Sequence, residues 1–95
     1  GGEAFRAAVA ESWFPRIEAF EPELLLVSAG FDAHARDHLA GFTLTEVDFE
    51  WLTRELVGLA DTYASGRVVS ALEGGYDLQA LAASVSAHVR VLMGL

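Results

Sequence analysis

Ninety-five residues make one small domain, and a formal charge of -8 argues against nucleic acid or an anionic membrane as a direct partner. Cysteine is absent, which removes disulfides, thiolate metal sites and cysteine nucleophiles together and favours a cytosolic setting. The hydrophobic fraction is 53% and mean hydropathy is +0.33, yet no apolar run approaches the ~18 residues of a membrane span.

That much apolar character is high for a domain with so much surface to cover, so further chain is expected to pack against it. The start, Gly1-Gly2-Glu3, and a single methionine at Met93 agree with an excerpt from a longer protein. Phe5, Val9, Trp13 and Ile17 recur at helical spacing, with Ala8 and Phe20 widening the stripe, and predict a helix over 3–20. Pro15 cannot donate to the carbonyl four residues earlier, so a kink or short break is expected there, and Glu21-Pro22 ends the helix.

Leu24-Leu25-Leu26-Val27 is an unbroken apolar run entering Ser28-Ala29-Gly30, the pattern of a parallel strand covered on both faces. A loop over 31–44 follows, rich in Asp, His, Gly and Arg. Thr45, with Asp48 three residues on, carries a capping pattern, and Phe49, Leu52, Leu56, Leu59 and Tyr63 continue one helical face. Gly66 offers a left-handed stop. A second buried strand is expected over 67–72, then a tight turn at Glu73-Gly74-Gly75-Tyr76. Asp77 is placed to cap a last helix in which Leu78, Leu81, Val85, Val89 and Leu92 share a face.

The order helix, strand, helix, strand, helix predicts an α/β fold containing a βαβ crossover with parallel strands. Ligands in such sheets bind beyond the carboxyl ends of the strands, where both unusual loops depart. Asp32, directly after the first strand, is suited either to binding a divalent metal through oxygen or to shaping the turn. His34, Asp37 and His38 read as loop residues rather than further ligands. Gly74 and Gly75 let the backbone turn sharply, bringing Tyr76 either to the cleft as a donor to a developing oxyanion or into ordinary packing. Glu73 is open to two roles, general base or partner to nearby backbone. Neither a P-loop nor a dinucleotide fingerprint is present.

Taken together, Leu26-Val27-Ser28-Ala29-Gly30-Phe31-Asp32-Ala33-His34, Asp37-His38-Leu39-Ala40-Gly41, Leu44-Thr45 and Leu72-Glu73-Gly74-Gly75-Tyr76-Asp77 resemble the C-terminal motifs of the histone deacetylase family. The resemblance is closest to bacterial and class II-like members, which include acetylpolyamine amidohydrolases and acetoin utilisation proteins. It covers nearly the whole chain, and the pairing of two motifs about forty residues apart is more specific than either alone.

The resemblance implies a zinc-dependent amidohydrolase on an arginase-like fold, with residues 1–95 as the C-terminal part of one catalytic domain. Asp32 matches the family's final zinc-binding aspartate, and Tyr76 the tyrosine that polarises the amide carbonyl with the metal. Leu39 matches a residue lining the acyl-lysine channel, and Gly74 lies beside its base. Members with histidine at the Tyr76 position are poor deacetylases; this chain keeps the active type. His38 departs from the proline common there, which alters loop stiffness and leaves metal binding unaffected.

The adjacent histidine pair and the Asp-x-His segment that complete the family's site are absent from these residues. The isolated chain is therefore expected to be inactive. The implied partners are the rest of the deacetylase domain and an acetylated amine, either acetyl-lysine or acetylpolyamine. The competing reading is a small acidic α/β module that docks on a protein partner without metal.

Overall fold

Two short runs of branched and small residues form the sheet of the computed structural model, which describes residues 1–38 and 42–95. Strand β1 (Leu25–Ala29) pairs in parallel with β2 (Val68–Leu72), Leu25 opposite Val68 and Ala29 opposite Leu72. Parallel neighbours need a long crossover. Helix α2 (Glu46–Tyr63) supplies it, flanked by α1 (Gly2–Phe20) and α3 (Leu78–Leu92).

Helix ends fall where local chemistry puts them. Asp48 Oδ2 accepts from the Thr45 N–H at 3.0 Å, which satisfies an amide at the start of α2. The Asp48 carboxylate also accepts from Arg6 Nε at 3.1 Å, and Arg6 lies over the Trp51 ring, tying α1 to α2. At the far end Ser65 and Gly66 both turn left-handed, and the Gly66 N–H closes on the Ala60 carbonyl at 2.9 Å. Asp77 Oδ1 accepts from the Ala80 N–H at 2.9 Å to cap α3.

Pro15 lies inside α1 without ending it, contrary to a break. Proline forfeits one bond, to the Glu11 carbonyl, and both residues are exposed, where solvent can satisfy the freed oxygen.

Ala29, Phe31, Leu44 and Phe49 form the buried core, with Phe5, Val27, Ala33, Leu81 and Val85 packed around them. The Phe31 and Phe49 rings meet edge to face at 5.1 Å. Burying each ring stabilises by about 1.5–3 kcal/mol, and such a ring pair adds about 0.5–1.5 kcal/mol.

Within this chain the strands are covered on one face: Val27 and Ala29 turn inward, while Leu26, 74% exposed, and Val69 face outward. The α3 stripe is covered only in part: Leu81 and Val85 pack against the core, and the rest of it stays open. Ala80, Ser84, His88 and Val91 are buried, whereas Leu78 is 79% exposed and Val89 and Leu92 are largely open. Helical periodicity marks which residues share a face, and the packing partner decides which face is covered. Here α3 meets α2 through small residues, and its greasier side flanks an open groove beside Leu72.

Candidate active site

Beyond the last strand pair the ladder keeps zipping. The Glu73 N–H donates to the Ala29 carbonyl and the Phe31 N–H to the Gly74 carbonyl, both at 2.8 Å. The two loops singled out by sequence thus leave the same sheet edge bonded to each other, as the βαβ reading requires.

Asp32 follows this junction. An added Cβ at Gly74 would lie 3.0 Å from its Cγ and Oδ2 and 3.1 Å from Oδ1, and one at Gly30 would lie 3.3 Å from Oδ1. Both glycines therefore make room for a carboxylate at the joined strand ends. Among the described residues, no hydrogen bond or ion pair reaches that carboxylate. Phe31 backs it, buried between Phe49 and the His88 ring, which stands edge-on at 5.6 Å.

The two glycines of the second loop serve different ends. Gly74 admits the carboxylate. Gly75 adopts φ 139°, a conformation that demands glycine, and a Cβ there would sit 2.7 Å from Leu81 Cδ1, whose flexible end would have to turn aside. Tyr76 follows, 60% exposed, bordering a shallow depression with Asp37, His38 and Asp77. Glu73 is exposed.

The loop histidines divide. His34 is buried and accepts from the Arg36 N–H through Nδ1 at 3.1 Å, which leaves Nε2–H to donate to Glu46 Oε2 at 2.8 Å. This bond, first among the causes, holds the Glu46 carboxyl below its usual range. His34 fastens the loop to the start of α2, aided by the bridge pairing it with Leu44. His38 is exposed. Leu39, expected to line a substrate channel, lies outside the described residues.

Asp37 does more than shape its own loop. It is 3% exposed, and its Oδ2 accepts from the Tyr76 N–H at 2.6 Å and the Asp77 N–H at 3.3 Å.

Sequence reasoning missed His88. It is 7% exposed, with Nδ1 2.9 Å from Thr53 Oγ1 and Nε2 2.8 Å from Ser70 Oγ. The Thr53 hydroxyl already donates to the Phe49 carbonyl at 2.7 Å, so it accepts from His88 Nδ1–H, and Nε2 accepts from Ser70. Burial pushes the ring's pKa down, which favours the neutral form. The available signal was the stripe of small and polar residues at 80, 84 and 88, eclipsed by the stronger leucine and valine pattern.

Comparisons with known proteins agree with this geometry. A family model described as the histone deacetylase domain matches residues 1–92. The chain is 42% identical over 94 residues to histone deacetylase 10, chloroplastic, of Oryza sativa subsp. japonica, covering 99% of this chain and 21% of that protein. Type-2 histone deacetylase 1 of Dictyostelium discoideum is 46% identical over 77 residues, covering 81% of this chain and 5% of that protein. The crystal structure of the HDA15 HD domain superposes with a TM-score of 0.90 at 33% identity, over 99% of this chain and 25% of that one.

A parallel α/β unit with a carboxylate held at its joined strand ends thus matches part of a histone deacetylase domain. The chain belongs to the histone deacetylase family, and it spans about a fifth of the rice relative's length.

Proposed function

We propose that this chain is part of the catalytic domain of a zinc-dependent deacetylase hydrolysing N-acetyl amides of acetyl-lysine or acetylpolyamine type. The observation that carries the reading is the Asp32 carboxylate, free of protein partners among the described residues and cradled by Gly30 and Gly74.

Such a group fits one ligand position of a divalent cation. A half-buried carboxylate without a donor is costly unless something cationic meets it, and oxygen ligands suit zinc. It is one ligand only. No group of three His, Cys, Asp or Glu able to hold a metal occurs among the described residues, so the other ligands would come from elsewhere in the parent. When bound, zinc supplies Lewis-acid polarisation of the amide carbonyl and a more acidic water.

The chain's own residues would then do three things. Asp32 fixes one ligand direction at the strand ends. Gly74 borders the route by which the acyl group enters, and Leu39, whose place in the motif matches a channel-lining residue of the family, lies outside the described residues. The Tyr76 O–H donates to the carbonyl oxygen as negative charge builds, a bond stronger in the transition state than in the ground state. The base that takes the proton from water is not assigned to this chain: its histidines are His34, His38 and His88, with no adjacent pair. The isolated chain is accordingly expected to be inactive. The charge of -8 suits cationic substrates such as polyamines or lysine-rich segments, and the lack of cysteine supports a reducing compartment such as the cytosol.

The test uses the intact parent. Asp32→Ala should abolish zinc loading, read by metal analysis. Tyr76→Phe should retain zinc while kcat on an acetyl-lysine reporter falls about 100- to 1,000-fold. Normal turnover by Tyr76→Phe would remove the tyrosine's assigned role.

A further inference from the structure

We infer that Asp37 is the positioning residue for Tyr76, setting where the phenol projects by holding its backbone amide; the inference rests on the deacetylase reading for the phenol's role and on geometry for the hold.

Tyr76 has little else to fix it. The residue is 60% exposed, and no hydrogen bond reaches its hydroxyl among the described residues. It follows two glycines, one of them at φ 139°, so the chain leading to it has the widest conformational freedom available. A tyrosine on so pliant a stem would sample many directions.

What restrains the stem is a carboxylate from the other loop, 39 residues earlier in sequence. Asp37 Oδ2 accepts from two successive amides, Tyr76 N–H at 2.6 Å and Asp77 N–H at 3.3 Å. A charged acceptor makes a bond roughly twice as strong as a neutral one, and 97% burial of Asp37 shields it from competing water. The next residue, Asp77, is itself held by its cap on Ala80, so the anchor bridges the flexible turn and the start of α3.

Asp37 is in turn fixed from behind. Its N–H donates to the His34 carbonyl at 2.9 Å, and His34 is clamped by Glu46 and Arg36. A continuous path therefore runs from the first turn of α2, through His34 and Asp37, to the Tyr76 amide. It also links the loop bearing Asp32 to the loop bearing Tyr76, so the two functional groups keep a common frame. Placement errors of about 1 Å cost on the order of 100-fold in rate, which makes such an anchor worth its buried charge.

The experiment is a double-mutant cycle in the intact parent, with hydrogen exchange as a second readout. Asp37→Ala should lower kcat about 10- to 100-fold with KM and zinc content nearly unchanged. In a Tyr76→Phe background the same change should cost less than about 3-fold, because the group it positions is gone. Asp37→Asn keeps an acceptor oxygen and should recover most of the loss. Exchange of the peptide spanning 73–78 should show the Tyr76 amide protected in the unmutated enzyme and in Tyr76→Phe, and unprotected in Asp37→Ala.

Equal losses in both backgrounds would overturn the inference, since Asp37 would then act independently of the phenol. So would a freely exchanging Tyr76 amide in the unmutated enzyme, a measurement that needs no variant to fold. Full activity in Tyr76→Phe alone would sink the catalytic reading instead, and would leave the amide protection to report on the anchor.

Discussion

Gly74→Ala isolates the carboxylate cradle from the fold around it. The new methyl would lie 3.0 Å from Asp32 Cγ and Oδ2 and 3.1 Å from Oδ1, where ordinary contact begins near 3.4 Å. The neighbour that must yield is the carboxylate, by a few tenths of an ångström. Metal–oxygen distances tolerate about 0.2 Å, and disturbing the support of a ligand typically costs about 10- to 100-fold in metal affinity or activity.

Stability should move far less. Gly74 is not among the residues at positive φ, so alanine can adopt its backbone, and the stiffer unfolded chain offsets the crowding by about 0.4–1 kcal/mol. Zinc affinity is measured in the intact parent by chelator competition, beside a thermal melt. The expected outcome is a 10- to 100-fold weaker zinc site on a protein melting within a few degrees of the original. Gly75→Ala is the contrast: φ 139° and a Cβ 2.7 Å from Leu81 Cδ1 should cost about 1–3 kcal/mol of stability. Unchanged zinc affinity in Gly74→Ala, with turnover intact, would refute a metal-binding role for Asp32.

Two further outcomes test the rest of the molecule. Burial lowers the pKa of His88 in the folded state, so the unfolded chain protonates first as pH falls. Its stabilising effect is fully present above the unfolded value near 6.5 and is lost as pH drops toward the lower folded value. His88→Leu should melt lower at pH 7.5, by about 1–3 kcal/mol, yet show a flatter decline in melting temperature between pH 7.5 and 5.5; parallel profiles would show that His88 does not contribute to the pH dependence. The isolated chain leaves Leu26, Val69 and the groove beside Leu72 open, so it should bind a hydrophobic dye and sediment as more than a monomer. A sharply melting monomer would show that the open sheet face needs no cover.

How far the site could be read from sequence depended on the range of each interaction. Asp32 and Tyr76 drew attention because they fall just after strands, but position left each two roles, and only the family resemblance chose between them. His34 and His38 were set aside as loop residues, and the structure separates them into a buried clamp and an exposed side chain. Asp37 was legible as a loop residue and no more, because its partners are amides in a loop 39 residues away. His88 was passed over because a lone histidine in a helix carries no pattern of its own; its meaning lies in Thr53 and Ser70, on two other elements.

Element order, the caps at Asp48 and Asp77, the left-handed stop at Gly66 and the parallel pairing were all present in the sequence itself. Each follows from contacts within a few residues, or from a connection too long for a hairpin, and such contacts form whatever else surrounds them. Tertiary packing alone decided which side of α3 is buried, which face of the sheet stays open, and that Gly74 would abut Asp32 while Asp37 would grip Tyr76. Those outcomes join residues far apart in the chain, and a local repeat carries no record of the partner that will finally lie across from it.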